Sequence, residues 1–174
     1  MALKQILVEP NPILRQKSLP INEVDSELQK LIDDMLETMY AAPGIGLAAI
    51  QIGVPKRVIV LDLAAKDEPK NPMHFINPEI VEKSENNSIY EEGCLSVPGQ
   101  FAEIERPDKC HIKYLDYYGQ PKELKTEGML ATCIQHEMDH LEGILFIDYL
   151  SKLKKTMIIK KLSKQKKVIE RIVV

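Results

Sequence analysis

No stretch of this 174-residue chain approaches the run of apolar residues needed to cross a bilayer, so no membrane is expected among its partners. The opening run, Met1 to Pro10, carries Lys4 and Glu9 and lacks the apolar core followed by small residues that a secretion signal requires, and the expected location is therefore the cytoplasm. Cysteine is scarce. Cys94, Cys110 and Cys133 are odd in number and widely spaced, which in a reducing compartment favours free thiols or metal ligands over a disulfide framework. No internal repeat and no low-complexity linker interrupts the chain, whose length suits one compact domain over residues 1–174. Histidine is also sparse, with four in all, so where they fall carries information.

What is present is ordinary for a globular protein: 44% hydrophobic and 28% charged residues, enough to bury a core without a covalent staple. The net charge of −3 conceals a segregation. From Ser151 onward nine lysines or arginines face the single acid Glu170, and the rest of the chain is correspondingly acidic. Such asymmetry bears on partners rather than on fold. No sequence-specific DNA partner is expected.

Apolar residues at Leu28, Leu31, Ile32, Met35, Leu36 and Met39 recur at helical spacing between Asn22 and Ala42, with Asp25 or Ser26 able to cap the start, and Pro43-Gly44 stops the pattern. Arg57 to Leu63 reads as a buried strand, and Ala64 to Pro72 as a surface loop. Strand signals return at Phe75 to Val81, Ser88 to Glu92, Phe101 to Glu105, Cys110 to Tyr117 and Lys122 to Lys125, in the manner of antiparallel hairpins. Thr126 to Leu141 is helical again, with Gly143 just past its end, and Leu153 to Ile172 forms a last helix with Ile158, Leu162, Ile169 and Ile172 on one side. The expected fold is α+β: antiparallel strands wrapped around a central helix, with an N-terminal helix and a long basic C-terminal helix at about 152–172.

That central helix contains Gln135-His136-Glu137-Met138-Asp139-His140. Histidines four residues apart lie one turn apart on one face, so both imidazoles can reach a single ion, while Glu137 on the flank can stand near a water beside that ion as a proton acceptor. A surface helix that happens to hold two histidines is the plainer alternative. Against it, His136 and His140 share their stripe with Met129 and Cys133, which places them on the inward side. Catalytic metal sites use three protein ligands and leave one position open. The best third donor is Cys94 in Glu91-Glu92-Gly93-Cys94-Leu95-Ser96, following a strand-like run and a glycine, although a small buried core residue is the commoner fate of a lone cysteine. Core packing suits Cys110 better, and Cys133, one turn before His136, can line the site without binding the ion.

Gly44-Ile45-Gly46-Leu47-Ala48-Ala49-Ile50-Gln51, Glu92-Gly93-Cys94-Leu95-Ser96 and Gln135-His136-Glu137-Met138-Asp139-His140 together resemble the three signature motifs of bacterial peptide deformylases, in that family's order. The resemblance runs from Pro10-Asn11-Pro12-Ile13-Leu14-Arg15 to the final helix. It implies a metallohydrolase that removes the formyl group from the initiator methionine of nascent chains and releases formate. One divalent metal per chain is implied, with Fe2+ the usual physiological ion and Zn2+, Ni2+ or Co2+ as substitutes in a purified sample. Cys94, His136 and His140 would be its ligands and Glu137 the catalytic acid and base. Gln51 and the backbone N–H of Leu95 would hold the developing oxyanion. Tyr90, Met129, Thr132 and Cys133 would line a slot for methionine with Ile45, and the backbone of Ile45 and Gly46 would pair with the substrate in strand fashion. Ordinary core packing is the competing reading of each pocket residue. Arg106 would pair with Glu92 and brace the cysteine loop. Pro43 and Phe101 depart from the family's frequently polar residues at the rim of the groove. Formyl-methionyl peptides are the expected substrates, and the lysine-rich final helix would meet the ribosome.

Two rival readings remain at this stage: a metallopeptidase using the same helix on internal peptide bonds, and a non-catalytic protein whose metal serves structure. The latter would want four protein donors, and three are found.

Overall fold

The computed structural model describes residues 2–172, with side chains up to Lys167. Three α-helices and seven strands follow in chain order: α1 (Ser26–Ala41), β1 (Gly46–Ala48), β2 (Val58–Leu61), β3 (Met73–Lys83), β4 (Asn87–Cys94), β5 (Val97–Pro107), β6 (Lys109–Leu115), β7 (Pro121–Glu127), α2 (Gly128–Leu141) and α3 (Lys152–Ile172). The α+β reading holds. All strand pairings are antiparallel, in a five-stranded sheet of order β1-β2-β3-β6-β7 and a separate β4-β5 hairpin.

Local chemistry accounts for the boundaries. Asp25 caps α1 by accepting a hydrogen bond from the Leu28 N–H at 2.8 Å, one of the two capping residues the spacing offered. Its apolar stripe, including Leu28, Ile32, Met35 and Met39, packs on Leu47, Val58, Val60 and Ile76 of the large sheet. The predicted start of α2 at Thr126 is two residues early. β7 runs through Glu127, and Gly128 makes the turn at φ +65°, a conformation that costs a glycine little. Likewise β5 begins at Val97, four residues before the expected start at Phe101, because it closes a tight hairpin on Cys94. β1 is a strand the sequence did not announce: Gly-Leu-Ala is too short to show alternation, and its three residues are all buried.

α2 lies at the centre, touching strands of both sheets. Its Ala131, Cys133, Ile134 and Leu141 join Ile50, Ile59, Leu61, Phe75 and Ile112 in the main core. α3 docks through Leu162, with Ile158 and Ile159, on a cluster of Val97, Ile104, Leu145, Phe146 and Ile147 that also receives Cys94. The expected apolar stripe of this helix is therefore real at Ile158 and Leu162, while the side chains of Ile169 and Ile172 lie outside the described residues. Among the described residues no helix is long and apolar enough to cross a membrane.

Candidate metal centre

A strand of the hairpin and the central helix converge. Cys94 ends β4, and a register shift between Gly93 and Cys94, of the kind that re-aims a side chain, precedes the two-residue turn Leu95-Ser96. From the other side α2 presents His136 and His140, 8% and 1% exposed, with ring centroids 5.1 Å apart. One donor atom each from Cys94, His136 and His140 lies within 4.8 Å of the others, the only such cluster among the described residues. Cys94 Sγ is 3.3 Å from His140 Nε2. Sulfur and nitrogen bound to one tetrahedral ion would stand about 3.6 Å apart, so the spacing suits shared coordination.

A second layer fixes the imidazoles. His136 Nδ1 lies 2.8 Å from Glu92 Oε2, and Arg106 grips the same carboxylate in a fork, Nε to Oε1 at 2.6 Å and Nη2 to Oε2 at 3.0 Å. Burial alone would raise the Glu92 pKa, but hydrogen bonds from His136 and Arg106 outweigh it and hold the acid below its usual range. An ionised Glu92 accepts a hydrogen bond from the Nδ1–H of His136, which leaves the Nε2 lone pair free to face an ion. Arg106, buried at 4% exposure, also bonds Asp139 Oδ2 at 2.8 Å, to which the Tyr149 hydroxyl donates at 2.8 Å. The Arg106–Glu92 brace was anticipated. The links to His136, Asp139 and Tyr149 were not, because nothing in a sequence pairs residues so far apart.

Glu137 is 5% exposed, and its Oε2 has no hydrogen-bond partner among the described residues. Burial pushes its carboxyl up to about 7, with the His136 charge opposing and Glu92 adding to the rise. A nearby cation would draw that value down. Gly46 makes room for this group: a Cβ there would run into the Glu137 carboxylate and come within 2.8 Å of Leu61. Gln51, 1% exposed, is held by its Oε1 accepting from Ala48 N at 2.8 Å, which turns Nε2 toward Ser96 Oγ at 3.1 Å and Cys94 Sγ at 3.5 Å.

A cavity of about 450 Å³ opens onto this cluster, lined by every sequence-predicted site residue except the more deeply placed His140. Ile45, Gly46, Gln51, Tyr90, Leu95, Met129, Thr132, Cys133 and Glu137 all face it, as do Pro43 and Phe101. Thr132 Oγ1 is buried without a partner among the described residues. Burial first, and then the Glu137 and Glu92 charges, push the Cys133 thiol up to about 12, and among the described residues its sulfur is not part of the donor cluster formed by Cys94, His136 and His140. Cys110 is buried in β6, away from the cavity, as core packing required. One sulfur and two imidazoles, with an orienting carboxylate behind and an unpartnered acid beside, fit a divalent transition-metal ion.

The polypeptide deformylase family model matches residues 3–156. The peptide deformylase of Pelagibacter ubique is 66% identical over 166 residues, covering 95% of this chain and 96% of the relative, and that of Phenylobacterium zucineum is 60% identical, covering 96% and 99%. Among solved structures, the peptide deformylase of Ehrlichia chaffeensis superposes with a TM-score of 0.92 at 41% identity over 96% of this chain and 98% of that one. A second structure of that protein, in complex with actinonin, gives 0.91 at 43% identity over 95% and 98%.

Proposed function

The chain belongs to the polypeptide deformylase family, and from that premise we propose how its own residues remove the N-formyl group from the initiator methionine of nascent polypeptides. Residues 1–174 act as one catalytic domain. Cys94, His136 and His140 hold one divalent metal, Fe2+ in the cell, with Zn2+, Ni2+ or Co2+ able to replace it. When bound, the ion supplies Lewis acidity toward water and the formyl carbonyl. Glu137 accepts a proton from the attacking water and returns it to the amine as the C–N bond breaks. Gln51 Nε2 and the Leu95 N–H donate to the carbonyl oxygen as it gains charge. Among the described residues β1 is an edge strand, paired only with β2, so its free side at Gly46, with Ile45 just before it, would be open to a peptide backbone in strand fashion. The methionine side chain enters the slot between Ile45, Tyr90, Met129, Thr132 and Cys133.

The observation that carries this reading is the convergence of three donor atoms within 4.8 Å at the floor of the cavity that Glu137 lines. A formyl-methionyl tripeptide and its acetyl analogue test it. A deformylase releases formate from the first and leaves the second intact, whereas cleavage of an internal bond in either would favour a peptidase.

We also propose that the protein works in the cytoplasm and meets the ribosome through α3. Lys160, Lys164 and Lys167 are exposed on that helix, in keeping with a surface that neutralises RNA phosphates. Replacing Lys160, Lys164 and Lys167 by glutamate is expected to weaken salt-sensitive ribosome binding while tripeptide turnover persists.

A further inference from the structure

Phe101, at the rim of the catalytic cavity, is also the wall of a second depression. This open groove of about 670 Å³ runs between β5 and α3, and Gln100 and Phe101 line both hollows. The ring is two-thirds exposed, at 66%, yet its base is fixed. Phe101 pairs with Gly93 across the hairpin, and a Cβ at Gly93 would come within 2.5 Å of the ring. On the far side Lys154, Met157 and Lys161 fall on one face of α3, with Leu150 at its foot. Met157 is 62% exposed. Lys155 is occupied by Asp148 at 2.5 Å, but the ammonium groups of Lys154 and Lys161 have no ion-pair partner among the described residues.

We propose that this groove is the downstream continuation of the substrate site, receiving the part of the nascent peptide that follows the residues held in the cavity. The inference rests on the deformylase reading. A chain leaving the cavity crosses Phe101 and lies along α3, where apolar side chains meet Leu150 and Met157 and acidic ones meet Lys154 and Lys161. Seven residues of helix separate the two lysines, about 10 Å, the length of roughly three residues of extended chain. On this reading a tripeptide is held within the catalytic cavity, and only a longer peptide passes Gln100 and Phe101 into the groove. The opposite wall carries Glu103. A polyphosphate backbone would meet that carboxylate wherever it lay, whereas a peptide can turn its acidic side chains to α3 alone. The apolar floor likewise favours side chains over phosphates.

The test compares kcat/KM for a formyl-methionyl tripeptide and two formyl-methionyl decapeptides whose distal residues alternate leucine with either glutamate or lysine. The glutamate decapeptide is expected to exceed the lysine decapeptide by roughly twofold to tenfold, as two exposed charge pairs allow. The gain should lie in KM and shrink at about 0.5 M salt. The double variant Lys154→Glu, Lys161→Glu should reverse the order. Equal kcat/KM for the two decapeptides, or a ratio untouched by the double variant, overturns the inference. So does a double variant that loses RNA binding while keeping the peptide ratio, which would assign the lysines to a nucleic-acid surface. Failure of the tripeptide itself to lose its formyl group instead overturns the deformylase reading.

Discussion

Glu137 sits where burial leaves its carboxyl nearly as ready to accept a proton as to give one up at neutral pH. Glu137→Gln preserves its shape and removes that exchange. Metal content should be unchanged while kcat falls by about 10²-fold to 10⁴-fold, read by metal analysis and turnover on the same preparation. Arg106 acts at one remove. Arg106→Met leaves Glu92 buried without its guanidinium partner, which is expected to cost about 3–5 kcal/mol in denaturant unfolding and to weaken metal affinity about 10-fold to 100-fold in chelator competition, because the carboxylate that orients His136 is no longer held ionised and in place. The pairing of His136 with His140, and the place of Glu137 beside them, was legible because helical spacing puts the two histidines on one face. Glu92, by contrast, was expected through the family resemblance only as the partner of Arg106. Only the approach of β4 to α2 reveals it as the partner of His136.

Single elements carry their own tests. Asp62, just after β2, accepts hydrogen bonds from the Tyr40 hydroxyl at 2.6 Å and from the N–H groups of Ala64 and Asn71 at 2.9 and 3.0 Å, tying both ends of the Ala64 to Pro72 loop to α1. Burial would raise its pKa, but these donors outweigh burial and depress it. A depressed acid contributes stability above its unfolded value of about 3.9, and that contribution is lost as pH falls through the lower folded value. Asp62→Asn should therefore be less stable than the parent at pH 7, with the difference closing under acid conditions, as urea titrations across pH would record. At the C-terminal end of α2, Gly143 adopts φ +74° with its hydrogen-facing side against the Arg15 backbone. Gly143→Ala is expected to destabilise the fold by about 1–3 kcal/mol in the same assay. Long periodic elements such as α1 were readable from the chain, and so was the stop at Gly143. β1 was not, because a strand of three residues exists only through its pairing with β2.

Across the whole molecule, an ion held by a hairpin and a helix fastens together parts of the chain more than 40 residues apart. Chelation should lower the melting temperature, and restoring Zn2+ or Ni2+ to about 100 times its dissociation constant should return about 2.7 kcal/mol, a gain that Cys94→Ser abolishes. Calorimetry with and without added ion measures both. The edge of the large sheet has a further consequence. An uncovered β-edge that accepts one backbone is open in principle to any extended chain, including a misfolded copy of itself. Here the edge proposed to take the peptide is only Gly46–Ala48, closed before by Pro43-Gly44 and after by the 3-10 turn Ala49–Ile52. The opposite edge, β7, carries Pro121, Lys122 and Lys125. With so few rungs on offer at one side and charge with proline at the other, the sheet offers room for a short backbone at most and little template for fibrous stacking.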